Sequence, residues 1–207
     1  MHTETLALQT VEALQKNRFT AVYFPTATEA LEQLLSEIPV EATVGIGGSW
    51  TLIQLELVEK LEARGNTVFC HHKPGLTPAE ILDIRRKQLT CDVFLTSTNA
   101  LTKDGWLVNT DATGNRVAAM IFGPKKVIVL TGANKIVDNL EEAQERIRTT
   151  AAPANNKRLN RPNPCVKTGY CVDCQGPTRL CNVNTIIHKR PPASNIHVWV
   201  VGEELGY

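Results

Sequence analysis

Short apolar strands alternate with helices along the first 150 residues, and this alternation constrains the fold more than any other feature. The runs Lys126–Thr131 and Ile196–Val201 are almost continuously apolar, which is typical of strands buried on both faces. Capping boxes that begin at Thr26 and Thr77 mark the starts of two of the intervening helices. The sequence therefore predicts an α/β fold with a doubly wound, largely parallel, Rossmann-like sheet.

Three further elements follow from local patterns. One helix should run from the Gly47-Gly48-Ser49 turn to Arg64, because apolar residues recur along it at helical spacing. An Asp-Gly turn within Ala100–Asn109 predicts a β-hairpin. A polar helix is expected over Glu141–Arg148.

The segment of residues 151–192 differs chemically from the rest of the chain. It holds seven basic residues against Asp173 alone, together with six of the 11 prolines and four of the six cysteines. We interpret it as a cysteine-bearing loop insertion before the last strand. The whole chain, residues 1–207, is then a single domain.

Composition excludes several classes of protein. A hydrophobic content of 43% with 21% charged residues is that of a globular protein. The formal net charge of +1 argues against a general nucleic-acid or membrane-surface binder. No apolar run reaches the length of a membrane span, and the first residues lack the basic region of a secretory signal, so we expect a cytoplasmic protein.

Two polar clusters follow predicted strands and form a candidate anion-binding site. Ligands of doubly wound sheets collect at the carboxyl ends of strands, where glycines and free backbone N–H groups accommodate a carboxylate or phosphate. We therefore expect a small organic acid or a phosphorylated ligand, although the same residue types are common in ordinary turns. The candidate residues are Gly47, Gly48, Ser49, Ser97, Asn99, Asp111, Gly114, Asn115 and Arg116.

The cysteines of the segment form a candidate metal site. They follow the spacing Cys165-x5-Cys171-x2-Cys174-x6-Cys181. Clustered thiols in a reducing compartment are typical of metal ligands. The uneven spacing favours an iron–sulfur cluster over zinc, and redox-active or free thiols are the remaining interpretation. The Cys70-His71-His72 run could contribute to a metal or proton-transfer site, but without a matched partner elsewhere we interpret it as a strand end with exposed histidines.

Four motifs resemble the LUD (lactate utilisation) domain family. They are Gly47–Thr51, Thr96–Thr102, Gly105–Asp111 and Gly114–Ala119. The resemblance implies a fold similar to that of the sugar-phosphate isomerase and coenzyme A transferase-like group. It also implies a part in bacterial oxidation of lactate to pyruvate alongside iron–sulfur partners, and the segment from Pro164 to Asn182 looks like that of one branch of the family.

Three functions remain open from the sequence. The first is oxidoreduction of a small organic acid by a protein with a thiolate metal site, acting with redox partner subunits. The second is an isomerase or acyl transferase with a structural zinc, for which Asp111 is the best-placed carboxylate. The third is a non-catalytic subunit or scaffold of a redox complex.

Overall fold

A six-stranded parallel sheet forms the centre of the protein. The computed structural model describes residues 2–207, and the strands of this sheet lie in the order β1-β10-β7-β4-β2-β3. The strands of both sheets are β1 (Thr20–Phe24), β2 (Thr43–Ile46), β3 (Thr67–Cys70), β4 (Val93–Thr96), β5 (Ala100–Thr102), β6 (Leu107–Asp111), β7 (Lys126–Gly132), β8 (Ile136–Val137), β9 (Val183–Ile187) and β10 (Ile196–Val201).

Helices cover both faces of the sheet, which confirms the doubly wound, Rossmann-like fold class. They are α1 (His2–Lys16), α2 (Ala27–Glu37), α3 (Trp50–Gln54), α4 (Leu57–Ala63), α5 (Pro78–Lys87), α6 (Asn115–Ile121), α7 (Leu140–Arg146), α8 (Ala152–Arg158) and α9 (Cys165–Thr168). Within residues 2–207, no helix is long and apolar enough to cross a membrane.

The apolar strands form the core as their sequence predicts. Along β7, Val127 and Val129 belong to the cluster under α1 and α6, while Ile128 and Leu130 belong to the cluster under α2, α3 and α4. The last strand, β10, pairs with both β1 and β7, so it returns to the main sheet at an interior position next to the edge strand β1. Both faces of these strands are therefore shielded from water, which explains their lack of polar alternation.

A smaller sheet packs beside the main one. The predicted hairpin forms β5 and β6, and the full strand order is β8-β5-β6-β9. Strand β9 comes from the cysteine-bearing segment and pairs antiparallel with β6 along its whole length. The segment of residues 151–192 therefore contains α8, the short helix α9 and the strand β9 in addition to loops.

Two helix predictions are wrong in their extent. The helix expected up to Arg64 is divided into α3 and α4, because Glu56 adopts a left-handed conformation with φ of 51°. The helix expected to end at Arg148 continues through a π-helical turn, Ile147–Ala151, into α8. This extension places Arg158 near the carboxyl ends of the parallel strands.

Candidate functional site

A cavity of about 350 Å³ opens at the carboxyl ends of the parallel strands. The loops that follow β2, β3, β4 and β7 all contribute to its wall, as expected of a doubly wound sheet. Both predicted polar clusters therefore meet in one place. The predicted residues that line this cavity are Gly48, Ser49, Ser97, Asn99, Asp111, Asn115 and Arg116.

The two other predicted residues, Gly47 and Gly114, lie outside the lining. Gly47 continues β2 by donating its N–H to the carbonyl of Leu95 at 2.8 Å, and a Cβ there would come within 3.0 Å of the Thr96 hydroxyl. Gly114 precedes α6 with φ of 85°, a conformation that favours glycine. Both glycines shape the backbone around the cavity.

Arg116 ties together the second polar cluster. Its Nε donates to Asp111 Oδ1 at 2.9 Å, and Nη1 donates to the Ser97 carbonyl and to Asn109 Oδ1. Nη2 donates to Asn99 Oδ1 and to the carbonyl of Thr110, each at 3.0 Å. All five N–H donors of a guanidinium are thereby used within the protein. Arg116 organises the wall of the cavity and adds its charge, with no donor left over for a ligand.

Asp111 is equally engaged. Its Oδ2 accepts hydrogen bonds from the backbone N–H groups of Arg116 and Val117 at the start of α6, and its Oδ1 accepts one from Nε of the Arg116 side chain. Both side chains of this pair are about nine-tenths buried. The carboxylate therefore fixes the helix start, which is a poor arrangement for the nucleophile of an acyl transferase.

Lys135 is a buried cation that the sequence analysis did not identify. It lies in a 3₁₀ turn, Ala133–Lys135, directly after β7, and is only 3% exposed. Its Nζ donates to Thr51 Oγ1 and Ser97 Oγ, both at 2.9 Å. Burial, and then the charges of Arg146 and Arg116, lower the pKa of Lys135 to about 7.

The rings of His71 and His72, directly after β3, contact each other in the cavity wall, with centroids 4.0 Å apart and planes tilted by 41°. His71 is buried, contrary to the prediction of an exposed strand end, and Gln88, directly after α5, contacts its Nδ1 at 3.0 Å. Burial and the neighbouring His72 lower the pKa of His71 to about 3. The ring of His72 is exposed on the cavity side, yet partial desolvation and the charge of Arg158 lower its pKa to about 4. Both rings are neutral at pH 7.

Three further arginines line the same cavity, which we call the basic cavity. The Nε of Arg85 is buried, and within the described residues it has no hydrogen-bond partner. Arg158 donates from Nε to the hydroxyl of Tyr207 at 2.7 Å, and the Tyr207 ring stacks on Trp50. Arg161 stands at the exposed rim.

The charges of the basic cavity favour an anion. Among the lining residues that the structure describes, Asp111 is the one acidic side chain, and it forms an ion pair with Arg116. The remaining cations are Arg85, Arg158 and Arg161, and Lys135 is partly protonated at pH 7. A concave surface with unpaired cations and low-dielectric walls concentrates small anions and strengthens their hydrogen bonds.

Of the cavity residues that the sequence analysis did not identify, some could have been predicted from the sequence. Lys135 follows the carboxyl end of an apolar strand, which is the rule that identified Ser97 and Asn99. Arg85 gave no such signal, because it is one of three consecutive basic residues at the end of a helix, where cations are common. Arg158 lies in a helix that the sequence analysis ended ten residues too early.

The four predicted metal-binding cysteines lie in one region of the structure. Cys165 is buried at the start of α9, and Cys171, Cys174 and Cys181 are half-buried in the loop that follows. Burial and the charges of Cys174 and Cys171 raise the pKa of Cys165. Burial and the charge of Cys171, with smaller effects of the other two, raise that of Cys181 to about 11. Each thiol is therefore within electrostatic range of the others.

Their arrangement is not that of a formed metal centre. Over the described range, no three His, Cys, Asp or Glu side chains are grouped to hold a metal ion. Arg179 holds the loop by donating from Nη1 to Asp173 and to the carbonyl of Cys174, and from Nε to the carbonyl of Cys181. The four thiols are suitable ligands for a metal ion, but in this structure no three of the sulfur atoms are close enough to bind the same ion. The metal site stays a prediction.

A second cavity, of about 730 Å³, adjoins the cysteine loop. Its wall includes Cys171 and Cys181 together with Arg148 and His188. The basic cavity also reaches this loop, because Leu180 lines it directly beside Cys181. The cysteine segment thus lies between the two cavities.

Comparison with known proteins identifies the family and the fold. A sequence model of the LUD domain matches residues 7–201. The crystal structure of a DUF162 family protein from Deinococcus radiodurans is similar over 98% of this chain and 99% of that chain, with a TM-score of 0.53 and 15% sequence identity. That likeness supports the fold alone. A comparison with curated protein sequences gives no significant match.

Proposed function

The chain belongs to the LUD domain family, and on that premise we propose that it binds a small organic acid of the lactate type in the basic cavity and takes part in its oxidoreduction. The family identity, predicted from four motifs, is confirmed over residues 7–201. The finer statements, which concern the acid, the redox chemistry and the cysteine site, are proposals.

One observation supports the ligand class: the guanidinium of Arg85 lines the basic cavity, and within residues 2–207 it has no hydrogen-bond or ion-pair partner, its buried Nε included. A buried N–H group of a charged side chain costs about 1–3 kcal/mol or more when it makes no hydrogen bond. A carboxylate bound to the accessible part of the half-buried Arg85 guanidinium would supply acceptors and offset the excess of cations in the basic cavity. A small phosphorylated compound carries the same kind of oxygen, so phosphate serves as the competing probe.

Calorimetric titration with lactate, pyruvate and inorganic phosphate tests this proposal. Arg85→Gln should weaken binding of the preferred anion about 10-fold to 100-fold, because a charge-assisted hydrogen bond contributes roughly 1.5–3 kcal/mol. Arg86→Gln is the matched control, since Arg86 is the next residue of α5 and is exposed. Equal affinities in the two variants, or no binding of any of the three anions, would contradict the proposal.

The oxidation of a 2-hydroxy acid to a 2-oxo acid releases two electrons and two protons, so it requires an electron acceptor. For the acceptor we propose an iron–sulfur partner subunit, together with a cluster held by Cys165, Cys171, Cys174 and Cys181. When bound, such a cluster supplies electron transfer, whereas zinc at the same residues would only stabilise the loop. Thiols with raised pKa values must lose their protons to either metal, so loading should release protons.

Anaerobic purification followed by an absorption spectrum and iron, sulfide and zinc analysis tests the cysteine site. Iron and sulfide that disappear in a Cys174→Ser variant would support the cluster. Cys91→Ser serves as the control, because Cys91 is a buried core residue of the main sheet. Zinc in place of iron would assign a structural role to the segment, and the absence of any metal would overturn a metal site.

A further inference from the structure

Lys135 occupies an unusual position for a lysine. It lines the basic cavity but is almost fully buried, and its two hydrogen bonds go to the hydroxyls of Thr51 and Ser97. No carboxylate among residues 2–207 forms an ion pair with it. An ammonium group has three N–H donors, whereas a neutral amine has two and a lone pair. Two hydroxyl acceptors satisfy both donors of a neutral amine, whereas they leave one of the three donors of an ammonium group without a partner.

The surroundings of Lys135 favour this neutral form. Thr51 approaches it from α3, Ser97 from the loop after β4, and Gly206 from the loop after β10, where an added Cβ would come within 3.0 Å of Nζ. The charged groups that act on it are Arg116 of α6 and Arg146 of α7, both positive. Desolvation and two like charges disfavour the ammonium form, and a pKa of about 7 leaves a large fraction of neutral amine near neutral pH.

We propose that Lys135 is a nucleophilic amine that condenses with the carbonyl carbon of a small 2-oxo acid in the basic cavity. This inference rests on the proposed function and names the reacting residue and the substrate class of the same site. The lone pair of Nζ forms a C–N bond to the carbonyl carbon, and the carbonyl oxygen leaves as one water after it has taken the two amine protons. The product is an imine, and no electron is gained or lost. Desolvated lysines beside other cations are known to act in this way.

Two features of the cavity select a 2-oxo acid over other carbonyl compounds. The cations Arg85, Arg158 and Arg161 offer a place for a carboxylate, whereas the reacting amine requires an adjacent carbonyl. The rings of His71 and His72 line the same cavity and are neutral at pH 7, so they add no positive charge beside the amine. A 2-hydroxy acid would occupy the same place but would have no carbonyl with which to condense.

Reductive trapping tests the imine directly. The full-length protein is incubated with pyruvate and cyanoborohydride, digested with protease and mapped by mass spectrometry. We expect a stable adduct on Lys135, equal in mass to pyruvate less one water plus two hydrogens. Lactate should lower the yield by competition and should form no adduct itself. Lys135→Arg should abolish trapping, and Lys157→Arg, which alters an exposed lysine of α8, should not.

The possible outcomes separate this inference from the proposed function. Pyruvate that binds by calorimetry but gives no adduct, or gives adducts on several exposed lysines, overturns the imine and leaves the anion cavity intact. Failure of all anions to bind overturns both. If Lys135→Arg does not fold, the position of the adduct in the unmodified protein still decides the question.

Discussion

The buried amine of Lys135 should make the stability of the protein depend on pH in a specific range. The folded-state pKa of Lys135 is about 7, compared with an ordinary value of 10.5. Between these values the unfolded chain holds the proton more often than the folded chain. Unfolding therefore takes up protons, and the free energy of unfolding rises with pH. At pH 7 the buried ammonium form of Lys135 destabilises the folded protein. This destabilisation decreases as the pH rises, because the folded protein then holds the neutral amine.

The size of the effect follows from the two pKa values. Between pH 7 and pH 9, Lys135 should add about 2 kcal/mol to the free energy of unfolding. His71 and His72 act mainly below this range, because their pKa values fall from 6.5 to about 3 and about 4. Cys91 and Cys181, with pKa values raised to about 11, oppose the rise slightly as pH 9 is approached. These four contributions cancel when the free energy of unfolding of a Lys135 variant is subtracted from that of the unmodified protein at each pH.

Urea unfolding of the unmodified protein and of Lys135→Met at pH 7, 8 and 9 measures this difference. The unmodified protein should gain about 2 kcal/mol relative to Lys135→Met over the range, whatever the absolute cost of the lost hydrogen bonds. Lys157→Met, at an exposed site, should follow the unmodified protein. Parallel pH profiles for the unmodified protein and Lys135→Met would show that the lysine keeps an ordinary pKa in the folded state, and the argument for a neutral amine would be refuted.

Two further predictions concern the frame of the cavity and a tight turn near the amino ends of β4 and β7. In a urea titration, Arg116→Met should lower the free energy of unfolding by about 3–5 kcal/mol, because it leaves the buried carboxylate of Asp111 without its partner. The control Lys87→Met breaks an exposed pair with Asp83 and should lower the free energy of unfolding by less than about 1 kcal/mol. Gly123→Ala should cost about 3 kcal/mol by thermal or urea unfolding, because Gly123 has φ of 127° and a Cβ would meet the Leu89 carbonyl at 2.2 Å. Gly176→Ala, with no atom within 4 Å, should be nearly neutral, and equal losses in the two alanine variants would contradict the steric argument.

Local chemistry explains the parts of the fold that could be predicted. The capping box at Thr77 forms as its sequence indicates, with the Thr77 hydroxyl accepting from the Glu80 N–H and the Glu80 carboxylate accepting from the Thr77 N–H. The apolar run of β7 lies between two cores, because its residues have no polar face to turn to water. These features depend on residues close together in the chain, so they can be read from a single sequence.

The wrong helix prediction depends on a backbone conformation that the residue types do not signal. Periodicity over Leu52, Leu55, Val58 and Leu61 indicates one helix, whereas the left-handed Glu56 changes the register and buries Leu57 in the core. Nothing in the residue type of glutamate signals that conformation.

The cavity residues show the same limit. Lys135 is 84 residues from Thr51 and 38 from Ser97, its two hydrogen-bond acceptors. Its burial is set by how strands β2, β4 and β7 are ordered in the sheet, and composition gives no sign of that. His71 is likewise buried, and Gln88, which contacts it, comes directly after α5.

The cations around the cavity divide into two kinds, and the division explains how a basic site can be stable without its ligand. Arg116 makes five hydrogen bonds to protein acceptors, so its charge is compensated and it contributes to the frame. Arg85 and Lys135 are incompletely compensated, and each lowers the stability of the folded state. An anion that binds only the folded protein would recover part of that free energy. The groups that cost stability are thus the groups available to a ligand, which is the pattern expected where a site is selected for binding or catalysis at the expense of stability.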